Sequence, residues 1–165
     1  MAAISSIVPL HVFRFRVQVV GDSISSGQQG KTTEMAFAEC SGLEATMEPK
    51  TIKEGGRNYG AAQRAGGVTF ATVILKRGVS TDAGPWQIFN KTTSGLYAPR
   101  WQVTITLLDG LMTPTAVWQL NQAMPVKFKF ADLNAKATEV GIEELHFVHE
   151  GLIRVLTPTT HLIEV

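Results

Sequence analysis

The residues best placed for phosphate chemistry are Gly30, Lys31 and Thr32, which follow a run of alternating apolar residues. A phosphate-binding loop of this kind needs a second glycine five positions before Gly30, so that backbone amides can wrap the phosphates. Ser25 occupies that position, and no helical pattern follows Thr32 to supply aligned amide groups. We therefore interpret the segment as a polar hairpin loop and expect no nucleotide cofactor.

Two histidines and a carboxylate, His146, His149 and Glu150, are the best candidates for metal ligands. The helical zinc motif His-Glu-x-x-His would begin at His149 and Glu150 and would need a histidine at position 153, where Ile153 stands. On a strand, positions three apart point to opposite faces of the sheet, so the two imidazoles are badly placed to hold one ion. We expect ordinary surface or interface histidines and no metal site.

The sequence also shows no set of side chains arranged for nucleophilic or acid–base catalysis. The single cysteine, Cys40, has only Glu39 as a charged neighbour, and a negative charge raises a thiol pKa. Glu143 and Glu144 are adjacent, so on a strand their carboxylates point to opposite faces. We expect a protein that is not an enzyme. A small β-sandwich ligand-binding module or hydrolase is the alternative class, because the two carboxylates of a glycosidase can come from distant strands.

Charge is scarce in this chain of 165 residues: 18% are Asp, Glu, Lys or Arg, and 15 basic against 14 acidic residues leave a net charge of +1. Such a balance without a basic run argues against general nucleic-acid binding. No segment approaches the roughly 20 apolar residues of a membrane span, so no membrane anchor is expected. Low charge with 44% hydrophobic residues favours a protein that buries surface against copies of itself.

The elements that must position these residues are mostly strands, because Thr, Val and Ile make up about a quarter of the chain. Strict alternation of apolar and polar residues predicts one-sided strands over Val12–Val20, Trp101–Leu107 and Pro125–Phe130. In the last of these, Val126, Phe128 and Phe130 are expected to face inward. Weaker patterns predict further strands at Ala36–Leu43, Val68–Lys76 (covered on both sides) and Glu139–His149.

One short helix and two loops complete the pattern. Ser80, Thr81 or Asp82 can cap a helix that carries Trp86, Ile88 and Phe89 and ends before Gly95. Gly21–Gly30 is typical of a hairpin end. Met47–Gly67 contains five glycines and little apolar content, and a loop this long in a compact domain usually has a function. We predict a single domain, residues 1–165, with a core of about 12–152 and a C-terminal extension of 153–165.

Five local patterns occur in a characteristic order. They are Glu39–Glu44 (ECSGLE), Lys53–Asn58 (KEGGRN), Leu75–Gly78 (LKRG), Trp118–Pro125 (WQLNQAMP), and Ile142–Leu145 (IEEL) continued by His149–Leu152 (HEGL). With this order and spacing, the chain from about Phe13 to Leu152 resembles the tail-tube proteins of contractile phage tails and contractile injection systems. The usual Leu-Pro-Gly before the strand that ends in Lys-Arg-Gly is replaced by Arg64-Ala65-Gly66-Gly67, so the return of the long hairpin is expected to differ in shape.

The resemblance implies a fold and a role. The fold is mainly β: two packed antiparallel sheets form a β-sandwich or partly closed barrel, with one flanking α-helix and a long extended hairpin loop. Its role is structural, and subunits join into hexameric rings that stack into a hollow tube, as in the related type VI secretion protein. The partners are other copies, a sheath, baseplate or tube-initiator and cap proteins, and a protein or DNA cargo. Such a tube is assembled in the cytoplasm of the producing cell.

Site residues follow from the same resemblance. The long hairpin is expected to reach the next ring through Lys53, Glu54, Gly55, Gly56, Arg57, Asn58 and Arg64. One polar strand face must line the lumen, and the candidates are Lys127 with Lys129, or Glu139 with Glu143. The lumen charge, the role of residues 153–165, and the choice between a shaft subunit and a tube-initiator paralogue at the baseplate stay open at this stage.

Overall fold

The computed structural model describes residues 10–21, 32–56, 58–95, 98–136 and 138–155. These residues are mainly β, with one helix. The elements in chain order are β1 Phe15–Gly21, β2 Thr32–Met35, β3 Glu39–Ser41, β4 Ala45–Met47, β5 Lys50–Ile52, β6 Ala62–Arg64, β7 Val68–Phe70, β8 Val73–Gly78, α1 Gly84–Thr93, β9 Trp101–Leu108, β10 Pro114–Lys129, β11 Ile142–Val148 and β12 Gly151–Val155.

The first layer is built from the strands with the clearest alternation. It runs in the order β2, β1, β9 and the first part of β10, all antiparallel, and β12 pairs with the other side of β10. Val17, Val19, Val103 and Ile105 point from this layer into the core and are at most 2% exposed. The predicted strands at Val12–Val20 and Trp101–Leu107 are therefore confirmed, although β1 begins only at Phe15.

The long strand β10 connects the two layers. Its first part pairs with β9 and β12, and its last part, Met124–Lys129, pairs with β11 instead. The pairing of β10 slips three times, between Pro114 and Ala116, between Leu120 and Ala123, and between Pro125 and Lys127. Gln122, at the second slip, has a φ of 52°. Bulges bend a strand and increase its twist, so β10 passes from one sheet into the other.

The second layer continues from β10 through β11 and β8 to β3, again antiparallel. Val73, Leu75, Leu145 and Phe147 are at most 1% exposed and meet the first layer in one hydrophobic core. The predicted β-sandwich is confirmed, and the two sheets do not close completely into a barrel.

Helix α1 covers one flank and packs against β10. Ala83 is its N-cap residue, but the carboxylate of Asp82 accepts a hydrogen bond from the Gly84 amide at 3.0 Å, and Pro85 stands in the first turn. Trp86 contacts the Phe128 ring edge-on at 5.5 Å between centroids, and Trp101 donates a hydrogen bond to Thr92 at 3.2 Å. The predicted helix is therefore present.

Three strand predictions needed correction. Val68–Lys76 is two strands, β7 and β8, and Val68 is exposed rather than covered. Ala36–Leu43 contains only the short edge strand β3. Val126 points outward because it is the extra residue of the bulge in β10, so Pro125 faces the core in its place, and Phe130 lies beyond the strand and is exposed. Sequence alternation alone does not reveal a bulge.

Arg77 is the central polar group of the interior. Its guanidinium contacts the buried carboxylate of Glu143 on β11 and the carboxylate of Asp82 at 2.8 Å, and it also donates to the Asp82 carbonyl. The hydrogen bond from Arg77 lowers the pKa of Asp82, assisted by the bond from the Gly84 amide. Arg77 therefore joins strands β8 and β11 to the loop that begins α1.

Candidate assembly surfaces

The predicted long loop is a ribbon of two paired strands. Strand β4 pairs with β7 at its base, and β5 pairs with β6 further out, so we call residues 45–70 the ribbon. Every side chain of β4 and β5 is exposed. Thr51 donates a hydrogen bond to Gln63 across the ribbon at 3.2 Å, and Thr69 donates to the Thr46 carbonyl at 3.4 Å. The ribbon is thus held by its own ladder and not by burial in the core.

Most of the residues proposed for ring stacking lie at the far end of the ribbon, and Arg64 lies at the inner end of the β5–β6 pair, opposite Lys50. Lys53, Glu54, Gly55, Gly56 and Asn58 lie in the exposed turn between β5 and β6, and Arg64 lies exposed on β6. Gly56 and Gly60 have φ angles of 82° and 66°, which glycine adopts without strain. Arg57 lies outside the described residues. Tyr59, which the sequence did not single out, is 94% exposed beside this turn.

Glycine lets the two sides of the ribbon approach closely between the β4–β7 pair and the β5–β6 pair. A side chain at Gly66 would overlap the carbonyl oxygen of Glu48, whereas one at Gly67 would meet nothing within 4 Å. The Glu48 amide donates to the Gly67 carbonyl at 3.3 Å. Gly66 and Gly67 stand near the position where the resemblance leads one to expect Leu-Pro-Gly, and the missing side chain of Gly66 leaves room for the Glu48 carbonyl.

His149 packs where the ribbon joins the sandwich. Its ring lies 5.1 Å from that of Phe70 on β7, and its Nδ1 is 3.1 Å from the Gly151 carbonyl oxygen. His146, by contrast, lies 3.1 Å from the Glu144 carboxylate on the polar face of β11. The two histidines have separate surroundings, and the described residues contain no cluster of three metal-ligating side chains.

The polar face of the second layer carries the predicted lumen residues Lys127 and Lys129. Both are exposed, and their cross-strand neighbours on β11 are His146 and Glu144. Glu139 is exposed in the loop before β11. Glu143 is different, because it is only 5% exposed and binds Arg77 in the interior. We therefore remove Glu143 from the lumen candidates, since a channel-lining side chain must face an open surface.

Besides the exposed ribbon, the second layer has two strand edges that are not paired with another described strand. In the described part of the chain, β3 pairs only with β8, and the last part of β10 pairs only with β11. These strands form the two ends of the second layer. An unpaired edge exposes a row of backbone donors and acceptors and readily adds another strand.

Large apolar side chains are exposed around these edges and loops. Val12 and Phe13 before β1 are 77% and 66% exposed, Leu111 in the β9–β10 turn is 87% exposed, and Leu133 and Val140 between β10 and β11 are 89% and 74% exposed. Single exposed apolar residues are common, but this number over several segments favours burial against other molecules.

The side chains considered for catalysis lie in separate surroundings. Burial, followed by the negative charge of Glu39, raises the pKa of Cys40 to about 11, as the sequence predicted in direction. Glu143 and Glu144 face opposite sides of β11, one bound to Arg77 and the other to His146. Of the segment considered for phosphate binding, Gly30 and Lys31 lie outside the described residues.

No described helix is long and apolar enough to cross a membrane.

Comparison with known proteins gives one family. The family model of the T4-like virus tail tube protein gp19 matches residues 11–153. No curated protein sequence matches the chain.

Solved structures agree with that family. A chain from the baseplate of the anti-feeding prophage is 27% identical, with a TM-score of 0.78 over 90% of this chain and 96% of its own. A chain from the sheath–tube complex of an extracellular contractile injection system called PVC is 18% identical, with a TM-score of 0.73 over 92% and 95%. An Hcp protein is 8% identical, with a TM-score of 0.50 over 85% and 91%, which shows a shared fold.

Proposed function

This chain belongs to the family of the T4-like virus tail tube protein gp19, and on that premise we propose that it is an inner-tube subunit of a contractile phage tail or contractile injection system. The observation that carries the proposal is the family match over residues 11–153, which spans both layers, the ribbon and the helix. The function is mechanical: the subunit polymerises, encloses a channel and is driven through a target envelope when the sheath contracts.

We propose that six copies join side by side through the edges of the second layer. This layer has four antiparallel strands, so β10 at one edge and β3 at the other run in opposite directions. A neighbouring copy in the same orientation therefore continues the antiparallel pairing. The contact is head-to-tail, and a head-to-tail contact closes into a ring when the rotation between copies allows it.

Stacking of rings is assigned to the ribbon. A two-stranded hairpin alone is marginally stable in water, and this one buries little of its surface against its own domain. Contact with the adjacent ring would cover it. The residues proposed to make that contact are Lys53, Glu54, Gly55, Gly56, Arg57, Asn58 and Arg64.

The lumen is assigned to the polar face of the second layer, with Lys127, Lys129 and the nearby Glu139. Strands in a sheet lie about 4.8 Å apart, so a ring of six four-stranded layers has a circumference of at least roughly 115 Å and a diameter of roughly 37 Å. The first layer has five strands across. It would fit the longer outer circumference, which supports the second layer as the inner wall. The cargo is a protein effector or DNA.

The expected partners are other copies, a sheath, and the baseplate and cap proteins that begin and end a tube. Neighbours of this fold occur in baseplate, sheath–tube and cap assemblies of phage-tail-like particles. We propose assembly in the cytoplasm of the producing cell, with no membrane anchor and no cofactor.

A tube-initiator role at the baseplate is the second candidate. It is favoured by the likeness, at 27% identity, to a chain of a baseplate assembly. Imaging the particle with this subunit tagged would separate the two roles, because a shaft subunit labels the whole tube and an initiator labels only its base.

The proposal is tested by electron microscopy and sedimentation of the purified protein over a wide concentration range. Rings or tubes of about six copies per turn are expected. A chain that stays monomeric with and without baseplate partners, and whose melting temperature rises with a small ligand, would instead indicate the binding-module or hydrolase class.

The ribbon is tested by deleting residues 54–64, which include its turn and β6. The sandwich should stay folded, because the deleted residues contribute no side chain to the core. Rings should form while long tubes are lost, as measured by circular dichroism and by tube length in micrographs. Tubes of normal length would show that stacking depends on another surface.

A further inference from the structure

Four charged side chains form a straight row across the polar face of the second layer. The cross-strand neighbours are Glu39 with Lys76, Lys76 with Glu144, and Glu144 with Lys129. Cross-strand neighbours share one face of a sheet. The Lys76 ammonium lies 3.0 Å from the Glu39 carboxylate. From β3 to β10 the signs therefore alternate: negative, positive, negative, positive.

The two ends of this row lie on the two unpaired edges of the layer. Glu39 is on β3, with its side chain 54% exposed, and Lys129 is exposed on the last part of β10. Within the described residues, neither strand has a partner on its outer side at this position. The edges that the proposed ring joins thus carry opposite charges at the same level of the sheet.

We propose that in the ring Lys129 of one copy pairs with Glu39 of the next, so that the four-charge row becomes a continuous belt of alternating charge. The inference rests on the proposed ring and names the residues that set its register. The occupant of each edge is a second copy of this chain, and the argument for it is charge complementarity between the two edges.

The alternation of charge along the row also disfavours two-fold dimers formed through a single edge. A two-fold dimer through β3 with its axis at this row would bring Glu39 against Glu39, and the corresponding dimer through β10 would bring Lys129 against Lys129. Like charges facing each other across an interface oppose association. Head-to-tail joining is the arrangement in which every end charge meets its opposite, so the row favours a ring over a pair.

The experiment compares rings formed by Glu39→Lys alone, by Lys129→Glu alone, and by a 1:1 mixture. Each variant alone places like charges at every joint, so its ring concentration should fall about tenfold or more. In the mixture, a ring in which the two variants alternate has opposite charges at every joint. Such alternation can close around the ring because six is an even number. Rings should therefore return toward the wild-type amount, as measured by mass photometry.

Mixing separates contacts between copies from effects within a copy, because each variant keeps the same internal neighbours alone and in the mixture. Circular dichroism checks folding, and Glu39→Gln and Lys129→Gln provide milder changes that mixing should not rescue. Lys127→Glu is the matched control, since its cross-strand neighbour His146 belongs to a different row.

Three outcomes overturn the pairing: reversals that leave rings unchanged, a mixture that is no better than its components, or rescue of Glu39→Lys by Lys127→Glu in place of Lys129→Glu. In each case wild-type rings still support the proposed function. Failure of the wild-type chain to form rings would overturn the tube proposal itself.

Discussion

At the scale of single residues, Cys40 is the group whose behaviour the structure defines most directly. Burial raises the pKa of its thiol from 9.0 to about 11. At pH 8 the reactive thiolate should then be about a hundredfold scarcer than at an ordinary cysteine. A thiolate of higher pKa is also a stronger nucleophile, which offsets part of this deficit. We therefore expect a disulfide reagent such as DTNB to react about tenfold more slowly, or slower still, with native protein than with protein in urea. Equal rates would show that Cys40 is accessible.

Arg77 provides the residue-scale test of stability. Replacing Arg77 with Met leaves the Glu143 carboxylate buried without its cation, which should cost about 3–5 kcal/mol of unfolding free energy. The neighbouring Lys76→Met change removes only a partly exposed pair with Glu39 and should cost about 0–1 kcal/mol. Urea unfolding of dilute protein measures both. Similar losses for the two variants would contradict a central role for Arg77.

At the scale of elements, β10 and the ribbon both depend on irregular backbone. The bulges in β10 let one strand serve two sheets, and the ribbon glycines let two strands approach closely outside the core. Both features break the alternation or the regular spacing that makes strands easy to predict.

The ribbon yields a prediction with an adjacent control. Gly66→Ala places a methyl group against the Glu48 carbonyl and should push the two sides of the ribbon apart between its two strand pairs. Because no described residue of the ribbon belongs to the hydrophobic core of the sandwich, we expect the melting temperature to change little while long tubes are lost. Gly67→Ala, where a methyl group meets nothing within 4 Å, should form normal tubes. Equal tube lengths in micrographs of the two variants would contradict this account.

At the scale of the whole molecule, the exposed apolar residues and open edges are the surfaces that we propose other copies cover. The low charge fits this, because a net charge of +1 per copy limits the repulsion that accumulates along a stacked tube. A neutral total does not exclude a charged cargo, since only one polar face would meet it.

Dye binding tests whether other copies cover the exposed apolar residues. Residues such as Phe13, Leu111 and Leu133 are well exposed in one copy, so dilute protein should bind ANS and fluoresce. Assembly covers apolar surface, and we expect the fluorescence per copy to fall several-fold as rings and tubes form with rising concentration. Fluorescence per copy that stays constant through assembly would show that these residues remain open.

The sequence by itself determined the mainly β class, the clearest strands, the helix and the family, because alternation, capping residues and motif order are local along the chain. It also predicted that Lys127 and Lys129 share a polar face. Only the tertiary structure decided that Glu143 is buried against Arg77, that Val126 is the extra residue of a bulge, and that Glu39, Lys76, Glu144 and Lys129 form one row. These facts depend on strand register and on contacts between residues distant in sequence, which periodicity cannot specify.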